Sequence, residues 1–129
     1  MIASQTEFQF HCTVAQYLDL FLPESAAWFH VTNAPRSRRA GGKQKRMGMK
    51  AGVPDICIVY KGRALFVELK AGKGRLSAAQ KAMQGKLTMA GAVVFSECRS
   101  LDEFIAFIEP TIPMRATPIL PPSGFWRGT

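Results

Sequence analysis

Cysteine is sparse and badly placed for structural work. The three cysteines, Cys12, Cys57 and Cys98, show no Cys-x-x-Cys spacing and cannot all pair. Each falls within an apolar segment, where a reduced cysteine acts as a small hydrophobe, so a zinc centre is not expected. No apolar run approaches the roughly 20 residues that a membrane-spanning helix requires. The opening residues, Met1 to Glu7, lack the basic-then-apolar order of a secretory signal. A cytoplasmic location without a membrane partner follows as the expectation. Internal repeats and low-complexity segments are also missing.

Acid is scarce as well. Nine Asp and Glu stand against 17 Lys and Arg, for a formal charge of +8. Such an excess favours a polyanionic partner, with nucleic acid first among the candidates. Arg36, Arg38, Arg39, Lys43, Lys45, Arg46 and Lys50 place seven cations within fifteen residues, uninterrupted by any acid. They ride on a glycine-containing stretch without hydrophobic period, which reads as a basic loop. A loop this dense gains by releasing counterions from phosphates. The hydrophobic share of 47% and the charged share of 20% are those of an ordinary globular protein, and 129 residues suffice for one domain.

Along the chain, Phe8, Cys12, Ala15, Leu18, Phe21 and Leu22 recur at helical spacing from about Gln5 to Leu22, with Ser4 or Thr6 as cap and Pro23 as stop. Ala27 to Asn33 reads as a strand ended by Asn33 and Pro35. Ile56 to Tyr60 and Ala64 to Lys70 form a strand pair around a turn at Lys61-Gly62-Arg63. Ser77 and Gln80 make a capping-box pattern for a helix running to about Ala90. Ala92 to Ser96 is a further strand, and a capped helix spans Ser100 to Ile108. The order is α-β-β-β-α-β-α, and the helical crossover puts the last strand parallel to a neighbour in a mixed sheet of about four strands covered by helices. From Pro110 onward five of the eight prolines occur. The division expected is a domain over residues 1–109 and a proline-rich arm over 110–129, with Phe125 and Trp126 as anchors on a partner subunit or DNA.

The chemistry concentrates around Gly52-Val53-Pro54-Asp55-Ile56 and Phe66-Val67-Glu68-Leu69-Lys70. Side chains alternate along a strand, so Glu68 and Lys70 project to one side, and the hairpin brings Asp55 toward them. Hydrolysis of a phosphodiester requires an activated water and stabilisation of negative charge in the transition state. Magnesium or manganese supplies both and prefers oxygen ligands, for which two carboxylates and a backbone carbonyl suffice. Asp55 and Glu68 are the candidate carboxylates. Lys70 is placed to orient or deprotonate the water or to stabilise the transition state, and its residue type does not choose among these roles.

Pro54-Asp55 followed by Glu68-Leu69-Lys70 resembles the PD-(D/E)xK nuclease superfamily. The continuation Ala71-Gly72-Lys73-Gly74-Arg75-Leu76-Ser77-Ala78-Ala79-Gln80 is similar to the VRR-NUC (virus-type replication-repair nuclease) family. The likeness covers roughly residues 5 to 109, and the block 52–80 carries its specificity. It implies a restriction-endonuclease-like core in which Asp55 and Glu68 bind the metal, the Leu69 carbonyl is a further ligand, Lys70 is catalytic and Gln80 supports the site. Glu7, the one acid early in the first helix, takes the role of the additional acidic ligand. His11, one turn on, is the weaker candidate. The cations named above, with Lys73, would contact DNA, and Asn33 lies near enough in sequence to join them. Small stand-alone members resemble Holliday-junction resolvases and are associated with phages and other mobile elements. A metal-dependent endonuclease acting on four-way junctions is therefore expected, working as a homodimer that makes two symmetric nicks. Flap, fork or restriction-like cleavage, and a catalytically silent DNA-binding module, are the alternatives. The survival of Asp55, Glu68 and Lys70 together argues against the silent module.

Overall fold

The same local device starts two helices. In a computed structural model of the protein, which describes residues 6–32 and 38–120, Thr6 and Gln9 exchange side-chain and backbone hydrogen bonds at 3.0 Å each. This capping box opens α1 (Glu7–Phe21). Ser77 and Gln80 make the same reciprocal pair at the start of α3 (Ala78–Met89).

Between these helices lie β1 (Ala26–His30), α2 (Arg38–Arg46), β2 (Ile56–Tyr60) and β3 (Arg63–Leu69), and after them β4 (Val93–Cys98) and α4 (Leu101–Ile108). The four strands form one sheet in the order β1-β2-β3-β4. The first two pairings are antiparallel, and β3 with β4 is parallel, with α3 as the crossover. Lys61 and Gly62 form the β2–β3 turn with φ of 48° and 78°. Two successive positive φ values mark the type I′ geometry whose twist matches paired strands. The turn is shorter than expected, since Arg63 already pairs with Tyr60.

One side of the sheet carries the core. Ile56, Ile58, Leu65, Val67 and Leu69 are fully buried with Phe10, Val14 and Leu18 of α1 and Phe104 and Ile108 of α4. The buried stripe of α1 differs from the expected one. Phe10, Val14 and Leu18 face the core, with Leu22 following, whereas Phe8 is 77% exposed and Cys12 and Ala15 are only partly covered. Apolar residues occupy two faces of this helix at equally good helical spacing, and packing against the sheet selects one of them.

The basic stretch is a second correction. Residues 38–46 form a helix, not a loop, which makes the order α-β-α-β-β-α-β-α. Gly48, at φ 106°, ends it. Gly48 N–H donates to the Lys45 carbonyl at 3.0 Å and Met49 N–H to the Gln44 carbonyl at 2.9 Å, the paired bonds of a Schellman stop. Arginine, lysine and glutamine are good helix formers, but a helix with no apolar face leaves no hydrophobic period to detect.

The packed body also extends past residue 109. Ile112 is wholly buried in the core, Arg115 N–H donates to the Phe21 carbonyl at 2.8 Å, and Ile119 N–H donates to the Leu20 carbonyl at 2.7 Å. The first half of the proline-rich arm is thus strapped across the end of α1. Asn33, Pro35, Phe125 and Trp126 lie outside the described residues. Among those described, no helix is long and apolar enough to cross a membrane. Replacing Ile112 by Ala is expected to lower stability by about 2–5 kcal/mol, measured by urea unfolding, because the cavity would open beneath a strap that cannot collapse freely.

Candidate active site

Asp55 stands one residue before β2 and is held at both its ends. Its Oδ2 accepts the Leu69 N–H at 2.8 Å. Its carbonyl accepts the Val31 N–H at 2.7 Å and lies 3.0 Å from His30 Nδ1, which must be the protonated ring nitrogen to donate there. The preceding loop reaches this position only because residue 52 is glycine. Gly52 has φ of 80°, and a Cβ there would overlap the Ala79 carbonyl and the backbone nitrogen of Gln80. Any side chain would push the loop off the start of α3.

Glu68 enters from β3. Between Val67 and Leu69 the β3–β4 register shifts from Val67↔Phe95 to Leu69↔Cys98, so β4 uses one more residue than β3 beside Glu68. Lys70 N–H donates to the Cys98 carbonyl at 2.9 Å and pins the strand beyond this bulge. Glu68 Oε2 then meets Lys70 Nζ at 3.8 Å and accepts the Gln80 side-chain amide at 3.3 Å. The other end of that amide, Gln80 Oε1, accepts the Ser77 N–H at 2.8 Å. One glutamine therefore both caps α3 and touches Glu68.

These contacts leave Glu68 poorly satisfied. It is 2% exposed, and apart from a proton shared with Asp55 no donor among the described residues reaches its buried Oε1. Burial, the neighbouring Asp55 carboxylate and a proton shared with it push the Glu68 carboxyl up to about 8, which Lys70 only partly offsets, and Glu7 adds to the rise. A buried carboxylate pair sharing one proton is what a hard cation would relieve.

The remaining candidates are placed less tightly. Glu7 is exposed in the first turn of α1 and lines an open cleft with His11 and Asp55. Leu69 is wholly buried, with its N–H bound to Asp55. Among the described residues, no three Asp, Glu, His or Cys side chains converge closely enough to form a metal site by themselves. Arg39, Lys43, Lys45 and Arg46 are exposed on α2, and Lys50 and Lys73 are exposed on the segments leading into Asp55 and away from Lys70. Arg36 and the Arg38 side chain lie outside the described residues.

Two contributors escaped the sequence analysis. His30 anchors the Asp55 carbonyl. Arg99 donates from Nη1 to the Gly72 carbonyl at 3.0 Å and from Nη2 to the Gly74 carbonyl at 2.6 Å, fixing the loop that follows Lys70. No motif marks either residue. Both act on backbone carbonyls, which any sequence supplies.

The raised Glu68 pKa makes stability depend on pH in a definite direction. Between the ordinary carboxyl value of 4.5 and about 8, the folded chain keeps a proton that the unfolded chain releases. The metal-free protein should therefore lose stability as pH rises through that window, with a limiting slope of about 1.4 kcal/mol per pH unit. Thermal melts from pH 5 to pH 8 should show the fall, and Glu68→Gln should flatten it.

No family model matches the chain, and no curated protein matches it. A solved structure described as a "VRR_NUC domain protein" superposes with a TM-score of 0.67 at 24% identity, covering 83% of this chain and 88% of its own. The chain has the fold of that protein, a mixed four-stranded sheet flanked by helices.

Proposed function

We propose that the chain is a VRR-NUC-type endonuclease that hydrolyses phosphodiester bonds in DNA with magnesium or manganese, and that branched DNA, four-way junctions above all, is its substrate. The observation that carries this reading is the buried Glu68 carboxyl, crowded against Asp55 and within 3.8 Å of the Lys70 ammonium. Such a group is unfavourable in a merely structural protein, where an apolar residue of similar volume would serve better.

Asp55 and Glu68 would hold the ion, with the Leu69 carbonyl as a further oxygen donor and water completing the shell, while Glu7 stays in the wall of the open cleft. When bound, it would supply Lewis acidity and an activated water near neutral pH. The chain's own residues do the rest. Gln80 holds Glu68 in orientation from the fixed start of α3, and Leu69 N–H does the same for Asp55. Lys70 brings a positive charge to the side of Glu68 on which negative charge on a phosphate would develop. Arg39, Lys43, Lys45, Arg46, Lys50 and Lys73 bind the sugar-phosphate backbone, with Arg36 and Arg38 in the same tract. Contacts of this kind position DNA without reading bases, so selectivity rests on the shape of the substrate. Two equal sites in a homodimer would make the paired nicks that a four-way junction requires.

Labelled four-way junction, flap, fork and linear duplex, incubated with magnesium, manganese or chelator, test this reading. Asp55→Ala should abolish cutting, and Lys70→Ala should reduce it by about 10²- to 10⁴-fold while binding persists. Gln80→Ala, which loosens one ligand, should lose about 10- to 100-fold. Normal cleavage by Lys70→Ala would overturn the assignment. The binding contribution is separable: Lys45→Ala should weaken all DNA structures alike and lower the slope of log affinity against log salt by about 1.

A further inference from the structure

The stripe Phe8, Cys12 and Ala15 of α1 is apolar, helically spaced and unused by the core. With Trp28 of β1 it forms the walls of an open cleft of ≈ 490 Å³, completed by Glu7, His11, His30 and Asp55. Phe8 is 77% exposed at its rim. The polar fittings are fixed. Trp28 Nε1 donates to Asp19 Oδ1 at 2.9 Å, so its ring offers only carbon to the cleft. His30 donates from Nδ1 to the Asp55 carbonyl, which leaves Nε2 as an acceptor. The His11 ring stands edge-on to it with centroids 4.4 Å apart.

The charge of the lining decides what can enter. Among the described residues no lysine or arginine lines the cleft, and Glu7 and Asp55 stand in its wall. In a chain of formal charge +8, with a dense run of cations on α2 and further ones at Lys50 and Lys73, this cleft is a place phosphate avoids when no cation is bound. The part of a polynucleotide that suits it is neutral, flat and apolar on its faces, with hydrogen-bonding edges. Asp55 belongs both to this cleft and to the carboxylate pair, so the occupant lies next to the phosphate held there.

We propose that the cleft receives one unpaired base, from the nucleotide adjoining the scissile phosphate, stacked on Phe8. The proposal rests on the endonuclease reading above and adds the source of its substrate preference. A base locked in a duplex cannot leave its stack to enter, whereas one at a branch, flap or mismatch is already free. Stacking tolerates all four bases because each has a π face, so the cleft selects for strand opening and not for sequence.

The test uses the full chain carrying Lys70→Ala with magnesium present, where binding persists and cutting is suppressed, and branched DNA carrying an abasic residue at each unpaired position in turn. At one position the base-containing DNA should bind about tenfold more tightly than its abasic counterpart. Phe8→Ala should erase that difference, Phe8→Trp should retain it, and affinity for linear duplex should stay within about twofold in both. Phe8 is too exposed for its truncation to threaten folding, which a thermal melt confirms. Equal binding of base and abasic DNA at every position, or a preference unchanged in Phe8→Ala, overturns the cleft proposal. Cleavage with magnesium is scored separately: cutting without base discrimination sinks the cleft alone, and base discrimination without cutting upholds the cleft while sinking the nuclease assignment.

Discussion

The two-residue turn at Lys61-Gly62 determines where the chemistry of this chain converges. It sets the register Ile56↔Val67, and one further step along the same register places Asp55 opposite Glu68. Lengthening the turn by one residue would put Asp55 against a neighbour of Glu68 whose side chain leaves from the other face of the sheet. The pairing that results is electrostatically unfavourable, since two carboxylates meet where one of them is nearly inaccessible to water. The surrounding structure holds them there. Leu69 N–H takes one oxygen of Asp55, Gln80 takes one of Glu68, and Lys70 supplies partial compensation.

An arrangement of this kind draws on stability provided elsewhere. The core side of the sheet is saturated with fully buried Ile, Leu, Val and Phe, and β3 is embedded between two pairing strands. Local violations of packing and polar satisfaction are tolerated where the rest of a fold is internally consistent, and they gather at sites of function. Glu68 sits at such a point. Its strand contributes Leu65, Val67 and Leu69 to the core from alternate positions, so the residue that faces the other way is carried into place by its neighbours.

How much of this the sequence disclosed depends on how local each determinant is. The hairpin, the Ser77–Gln80 capping box and the parallel return of β4 after a helix follow from short-range rules about turns, caps and crossovers, and the Asp55–Glu68–Lys70 grouping follows from strand alternation. The buried face of α1 did not, because Phe10-Val14-Leu18 and Phe8-Cys12-Ala15 are equally good stripes until a sheet chooses between them. Helix α2 was hidden by having no apolar face at all. Arg99 and His30 were invisible for a different reason: their partners are carbonyls of Gly72, Gly74 and Asp55, brought near by the fold across 25 to 27 positions of sequence.

The misjudged face of α1 bears on function as well as on folding. A helix with one apolar stripe buries it, and its remaining surface is polar. Here a second stripe persists beside the carboxylates of Glu7 and Asp55, in a chain whose densest run of cations lies on α2 and continues to Lys50. On the proposed function, phosphates would be drawn to that run and repelled by Asp55 and Glu68 unless a cation intervenes between them. On the same reading, that polarity would orient a polynucleotide: its backbone would be drawn to the flanks, one phosphate would reach the carboxylates only with a metal ion, and the neutral part of the adjoining nucleotide would meet the apolar wall. Affinity and selectivity would then come from separate surfaces of the molecule, so either could change without dismantling the other.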